Sequence, residues 1–317
     1  MARLVKILAL DGGGIRGIIP ATILMQLERQ TGLPVARMFD LIAGTSTGGI
    51  LAVGMAQPGP DGLPRYTAAD MRDLYLREGA AIFPKPAVWS PATRPFAEKY
   101  SAAGIENILR RYFGDARLKD SLCNLLVTSY EIGLRQPWFF RSDRARKDAA
   151  YDFALWEVAR ATSAAPTYFP PARLARPGSA DPWMLIDGGT FANNPALCAF
   201  AEIRQLDPDA DVLLVSLGTG RHAEPIHYRP GLLGWAKPIL DIVFDGVSRT
   251  AEYQLEQLLP SLPGQRKYYR FQIDLTAGED ALDNTDPGNL QHLCRRAEGY
   301  VSQQRAVLQQ LCAQLTG

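Results

Sequence analysis

Ser46 lies in Gly44-Thr45-Ser46-Thr47-Gly48-Gly49, between the mostly apolar run 39–43 and the apolar run 50–53. A strand that ends in G-x-S-x-G and passes at once into a helix puts its serine on a tight bend. The flanking glycines, Gly44 and Gly48, relieve crowding, and the helix N-terminus aims its free N–H groups at the same point. This nucleophile elbow suits acyl transfer, which also needs a base for the hydroxyl proton and donors for the oxyanion. The loop Asp11-Gly12-Gly13-Gly14-Ile15-Arg16-Gly17 follows the strand-like run 5–10. Its glycines can expose successive backbone N–H groups and tolerate close approach, so Gly12, Gly13 and Gly14 form the expected oxyanion cradle. Arg16 is placed to orient the loop or add positive potential. A third turn, Asp187-Gly188-Gly189, follows the run 183–186. The histidines are His222, His227 and His292, none in a turn resembling an active site. Asp187 is therefore the expected base, delivered to Ser46 because parallel strands present their C-terminal ends at one sheet edge. A carboxylate of pKa about 3.9 is a weak base, so partial burial has to raise its proton affinity.

Other readings compete at each point. Ser46 could merely cap the next helix, and Asp187-Gly188 could be a plain turn. Gly12-x-Gly14-x-x-Gly17 also satisfies the dinucleotide fingerprint, which wants an acidic residue at the far end of the second strand. Asp40 instead lies near the start of that strand, which disfavours an oxidoreductase. Ser46, Asp187 and His222 occur in the chain order of an α/β-hydrolase triad, leaving a Ser-Asp-His esterase or lipase as an alternative.

Taken together, these residues resemble the patatin-like phospholipase family. The matching segments are Asp11 to Gly17, Gly44 to Gly48, Ala159-Arg-Ala-Thr-Ser-Ala-Ala-Pro-Thr-Tyr-Phe169 and Asp187 to Gly189, in family order. The resemblance implies a flavodoxin-like or modified α/β-hydrolase sheet and a Ser-Asp lipid acyl hydrolase with no metal, calcium or other cofactor. It also implies a membrane phospholipid substrate. Short cytosolic bacterial members include antiphage effectors activated by a cyclic nucleotide, and this chain suits that subgroup; ordinary patatins fit as well. A catalytically silent lipid- or nucleotide-binding module that kept the scaffold is the rival from another class.

The elements that must position these residues alternate. Strands are expected over 5–10, 39–43, 124–131, 183–186, 211–217 and 268–275. Helices are expected over 18–31, 48–57, 68–78, 103–112, 152–163, 194–206 and 287–314. Alternation of this kind predicts an α/β fold, a mostly parallel central sheet flanked by helices, with the almost wholly apolar 212–217 as a central strand. One domain over 1–317 is expected, with its core motifs in 5–220 and a helical C-terminal region at about 287–317. The Pro- and Gly-rich stretches 57–64 and 83–95 are expected as irregular loops near the mouth of the site. Aromatics and cations mix over 135–147, a segment that could touch lipid headgroups or a nucleotide but equally reads as a solvated loop. Residues 232–244 read either as a membrane-dipping lid or as a buried helix, with Pro238 in its first turn.

With 317 residues, a net charge of +1, 47% hydrophobic and 21% charged residues, the chain has an ordinary globular composition, which argues against binding a nucleic-acid polymer through bulk charge. No stretch has the length of a signal-peptide core or membrane span, so a cytoplasmic protein acting peripherally at the membrane is expected. Cys123, Cys198, Cys294 and Cys312 show no metal-binding spacing and read as reduced, mostly buried thiols. The oligomeric state, including a homo-oligomer, stays open.

Overall fold

The computed structural model describes residues 3–84, 98–222, 225, 232–262, 264, 266–276 and 281–317, without the side chains of 222, 232–238 and 266. The chain opens with β1 (Leu4–Leu10), α1 (Ile18–Thr31), the single turn α2 (Val35–Met38), β2 (Leu41–Thr45), α3 (Thr47–Ala56), α4 (Ala68–Ile82) and α5 (Ala102–Phe113). Then come β3 (Asn124–Glu131), β4 (Gln136–Arg141), α6 (Ser142–Lys147), α7 (Leu155–Thr162), β5 (Ala172–Leu174), β6 (Trp183–Asp187), the one-turn α8 (Gly189–Ala192) and α9 (Ala196–Leu206). The last part holds β7 (Asp211–Leu217), β8 (Arg221–His222), α10 (Leu232–Ser261), β9 (Arg266–Phe271), β10 (Asp274–Leu275), α11 (Pro287–Gln303) and α12 (Arg305–Thr316).

The central sheet runs β5-β6-β3-β2-β1-β7-β9, with β4 paired to β3 off that path. From β3 to β9 the neighbours are parallel, as the alternation of elements predicts. In β1, Val5, Ile7 and Ala9 face one apolar layer shared with α9 and the end of α10, while Leu8 and Leu10 face another shared with α1, α3 and α4. That two-sided burial is why its sequence reads as a nearly continuous apolar run.

Neither β4 nor β5 was expected as a strand, and β6, expected as a strand over 183–186, runs antiparallel to β3. The solvated-loop reading of 135–147 is corrected: only residues 132–135 separate β3 from β4, and so short a connection yields an antiparallel neighbour. Trp138 and Phe140 are buried in the core. The cations of that segment are taken up structurally, Arg141 by Asp143 and Glu202, Arg146 by the carbonyls of Lys119 and Ser121, and Arg144 over the Tyr151 ring.

Several boundaries move. The strand expected over 39–43 is 41–45, because Asp40 is drawn aside by Lys6 N at 2.8 Å and Arg3 Nη2 at 2.9 Å, whereas Gly44 and Thr45 pair with Leu10 and Thr128. The helix expected over 287–314 breaks at Gln304, and the strand expected over 268–275 divides into β9 and β10. Pro238 lies well inside α10 rather than in its first turn. The irregular loop after α3 is present, closed by a Pro58–Pro64 bridge, but α3 carries it away from Ser46, and Leu122 N donates to Ala56 O there at 2.9 Å. Most of the loop expected over 83–95 lies outside the described residues.

Candidate active site

β2 ends at Thr45, and Ser46 adopts φ 54° and ψ −122° before α3 begins at Thr47. A non-glycine residue held there stores roughly 1–3 kcal/mol of strain, sustained only where its surroundings over-determine it. Here Ser46 N donates to Thr162 Oγ1 at 2.8 Å, Ser46 O accepts from Ile50 N at 3.0 Å, and the neighbouring Thr47 hydroxyl donates to the buried Tyr75 OH. Glycine is needed on both sides. A Cβ on Gly44 would lie 2.3 Å from Gly48 O, and one on Gly48 would lie 2.2 Å from Leu10 O.

Asp187 reaches this elbow by a route the parallel-strand argument does not anticipate, since β6 is antiparallel to β3. β2 pairs with β3 up to Thr45 opposite Thr128, and β6 takes over at the next rung with Asp187 opposite Ser129. β4 pairs with β3 over Leu126–Glu131, so it occupies the other edge. β2 and β6 therefore share one edge of β3 and meet end to end, bringing residue 46 beside residue 187. Two bonds lock the register: Asp187 N to Ala164 O at 3.0 Å, and Ser129 Oγ to Ile186 O at 2.6 Å.

Asp187 is fully buried. Its Oδ1 accepts from Gly189 N at 2.7 Å; Oδ2 has no hydrogen-bond partner of full geometry, and the Ser46 hydroxyl is the side chain that acts on the carboxyl. Burial pushes the Asp187 pKa from 3.8 up to about 7, against the opposing pull of the Ser46 hydroxyl and the Gly189 N–H. The weak-base objection is met, because a carboxyl of that affinity exchanges its proton near neutrality.

The glycine loop divides its labour. Gly12 is corrected as an oxyanion donor, because its N–H donates to Asn193 O at 3.0 Å while its carbonyl accepts from Thr219 Oγ1 at 2.6 Å. Among the described residues, the N–H groups of Gly13 and Gly14 meet no acceptor, and both residues line the same pocket as Ser46 and Asp187. Arg16 is buried with its Nε donating to Gly13 O at 3.2 Å. Asp11, the loop's first residue, is held by Arg270 through a two-pronged pair, Nη1 to Oδ1 at 3.0 Å and Nη2 to Oδ2 at 2.6 Å. Burial raises the Asp11 pKa while the charge and hydrogen bonds of Arg270 pull it down, and burial lowers the Arg270 pKa while Asp11 raises it, so each partner offsets the other's desolvation.

Beyond these groups the pocket is mostly apolar, lined among others by Ile50, Tyr75, Ile82, Ile105, Phe169, Phe244 and Leu282. Its free volume of about 40 Å³ holds roughly three water-sized groups. Of the segment 232–244, Phe244 lines this pocket while Ile239 and Ile242 are exposed, so the buried-helix reading does not hold throughout.

No described histidine side chain lines the Ser46 pocket. His292 is on α11; His227 and the side chain of His222 lie outside the described residues. Asp40 precedes β2 at the opposite sheet edge, so the dinucleotide alternative lacks its ribose ligand. Sequence reasoning missed Thr162, Asn193, Arg270 and Leu282. Thr162 lay within a noted motif and Asn193-Asn194 follows the Asp187 turn, whereas Arg270 and Leu282 carry no local signal.

The family model described as patatin-like phospholipase matches residues 8–200. Patatin-like protein 2 of Arabidopsis thaliana is 32% identical over 335 residues, covering 93% of this chain and 82% of that protein. Patatin-like protein 4 of the same plant is 32% identical over 326 residues, covering 92% and 81%. Among solved structures, VipD from Legionella pneumophila aligns with a TM-score of 0.36 at 12% identity, covering 93% of this chain and 67% of that one.

Proposed function

The chain belongs to the patatin-like phospholipase family, and from that membership we propose that it cleaves fatty-acyl esters of membrane glycerophospholipids through Ser46 and Asp187. The observation that carries this reading is the end-to-end meeting of β2 and β6, which sets a strained serine beside a buried carboxyl of pKa about 7.

In this reading Ser46 Oγ attacks the ester carbonyl as Asp187 Oδ2 takes its proton, and the N–H groups of Gly13 and Gly14 receive the charge on the tetrahedral oxygen. Collapse expels the lysolipid alkoxide, which leaves with the proton held by Asp187. Water then attacks the acyl-Ser46 ester, again giving its proton to Asp187, and the fatty acid departs as Ser46 recovers a proton from the same carboxyl. The apolar walls favour an acyl chain over a charged group. The absence, among described residues, of any helix long and apolar enough to cross a membrane is compatible with action from the bilayer surface.

Fatty-acid release from a panel of phospholipid vesicles, with Ser46→Ala as control, tests the reading. Release by the unmodified protein that Ser46→Ala abolishes supports it; release that survives the substitution overturns it by placing the nucleophile elsewhere, and none from any lipid overturns it and leaves the silent binding module. Activation by a cyclic nucleotide in antiphage defence is a separate proposal. Release that rises with added cyclic dinucleotides supports it, and equal release in both conditions removes it.

A further inference from the structure

Residues 281–285 cross the glycine loop. Leu282 O accepts the Ile15 N–H at 2.8 Å and packs so closely over Gly14 that a Cβ there would lie 2.1 Å from it. Gly14 has φ +58°, a conformation that glycine adopts readily but that nothing in its own side chain enforces. The grip of Leu282 is therefore a constraint imposed on the loop from outside.

That grip is itself anchored on both sides. Tyr100 OH donates to Asp283 Oδ2 at 2.7 Å, and Lys99 Nζ forms an ion pair with the same oxygen. The Lys99 cation lies 5.3 Å from the Tyr100 ring centroid and 5.7 Å from that of Tyr168. Tyr100 N in turn donates to Tyr168 O at 2.8 Å, tying this anchor to the pocket wall. On the far side, Asn289 Nδ2 donates to Asn284 O at 2.7 Å, and Thr285 is buried beside Gly79. Asp283 touches none of the groups that face the ester, yet its carboxylate fixes the residue whose carbonyl holds the loop.

We propose that residues 281–285 form a strap that holds the oxyanion loop in its donor-presenting shape, with Asp283 as its positioning residue. This rests on the Ser46 hydrolase reading. Asp283 acts through Leu282 O and the Ile15 N–H, one residue beyond Gly14, so its loss is felt first in the transition state.

The test reads two quantities in the full chain: steady-state hydrolysis of a soluble p-nitrophenyl ester, and hydrogen–deuterium exchange at the Ile15 amide. Asp283→Ala is expected to lower kcat about tenfold with KM within about twofold, as for an interaction made only in the transition state, and to speed exchange at Ile15. Asp283→Asn, which keeps an acceptor for Tyr100, should recover part of both, and with Tyr100→Phe it carries the test if Asp283→Ala fails to fold. Unchanged kcat overturns the proposal, as does a fall in kcat without faster exchange at Ile15, or a loss expressed in KM. If the unmodified protein shows no Ser46-dependent turnover, the hydrolase reading fails, and exchange at Ile15 still reports whether the strap holds the loop.

Discussion

At the scale of single residues, the account turns on the proton affinity of Asp187. Burial raises its pKa from 3.8 to about 7, so the folded protein binds a proton there that the unfolded chain releases near pH 4. The native state then holds more protons than the unfolded state between those values, and this group's contribution to stability falls as pH rises through that window. Asp187→Asn should therefore raise the thermal midpoint more at pH 8 than at pH 4, read from melts at the two pH values, while abolishing ester hydrolysis. A substitution that stabilises while it inactivates marks a group kept for chemistry. His222→Ala, by contrast, is expected to retain most activity in the same assay, and loss comparable to that of Asp187→Asn would restore the triad. Ser46, Asp187 and the glycines were legible in the sequence because each sits in a turn whose local steric demands select its residue type. That the Gly12 N–H is spent on Asn193 O was not legible, because it depends on a partner from another turn.

At the scale of elements, the site is made by how strands end. Thr45 and Asp187 face successive residues of β3, so a one-residue slip of β6 would carry Asp187 away from Ser46 and invert the faces of its neighbours. The apolar run 183–186 predicted a strand but held no information on its direction, which is set by pairing with a strand more than 50 positions earlier. The loop that opens with Asp11 depends likewise on Arg270, 259 positions away in sequence. Arg270→Met leaves the Asp11 carboxylate buried and unpaired and should cost about 3–5 kcal/mol, measured by denaturant unfolding. Adding Asp11→Asn to it is expected to return a good part of that loss. Gly48→Ala is expected to lower both the yield of folded protein and its melting temperature, since the new methyl group would meet the backbone of Leu10.

At the scale of the whole molecule, the parallel part of the sheet and its two apolar layers were readable from the alternation of elements, and the residues matched by the family model, 8–200, hold Ser46, Asp187 and the glycine loop. The pocket is nevertheless finished from outside that range. β9 extends the sheet beside β7, Arg270 secures Asp11, Phe244 lines the pocket, and Leu282 grips the loop. A chain ending at residue 222 should accordingly lose Ser46-dependent turnover, and full activity in that fragment would show that the C-terminal third is dispensable to the site. The most direct measurement is the pH dependence of fluorophosphonate labelling, with the adduct located by peptide mass spectrometry. The adduct should fall on Ser46, at a rate that rises through about pH 7, and Asp187→Asn should abolish that rise. An adduct on another residue, or the same pH profile in Asp187→Asn, would contradict the pairing of these two side chains.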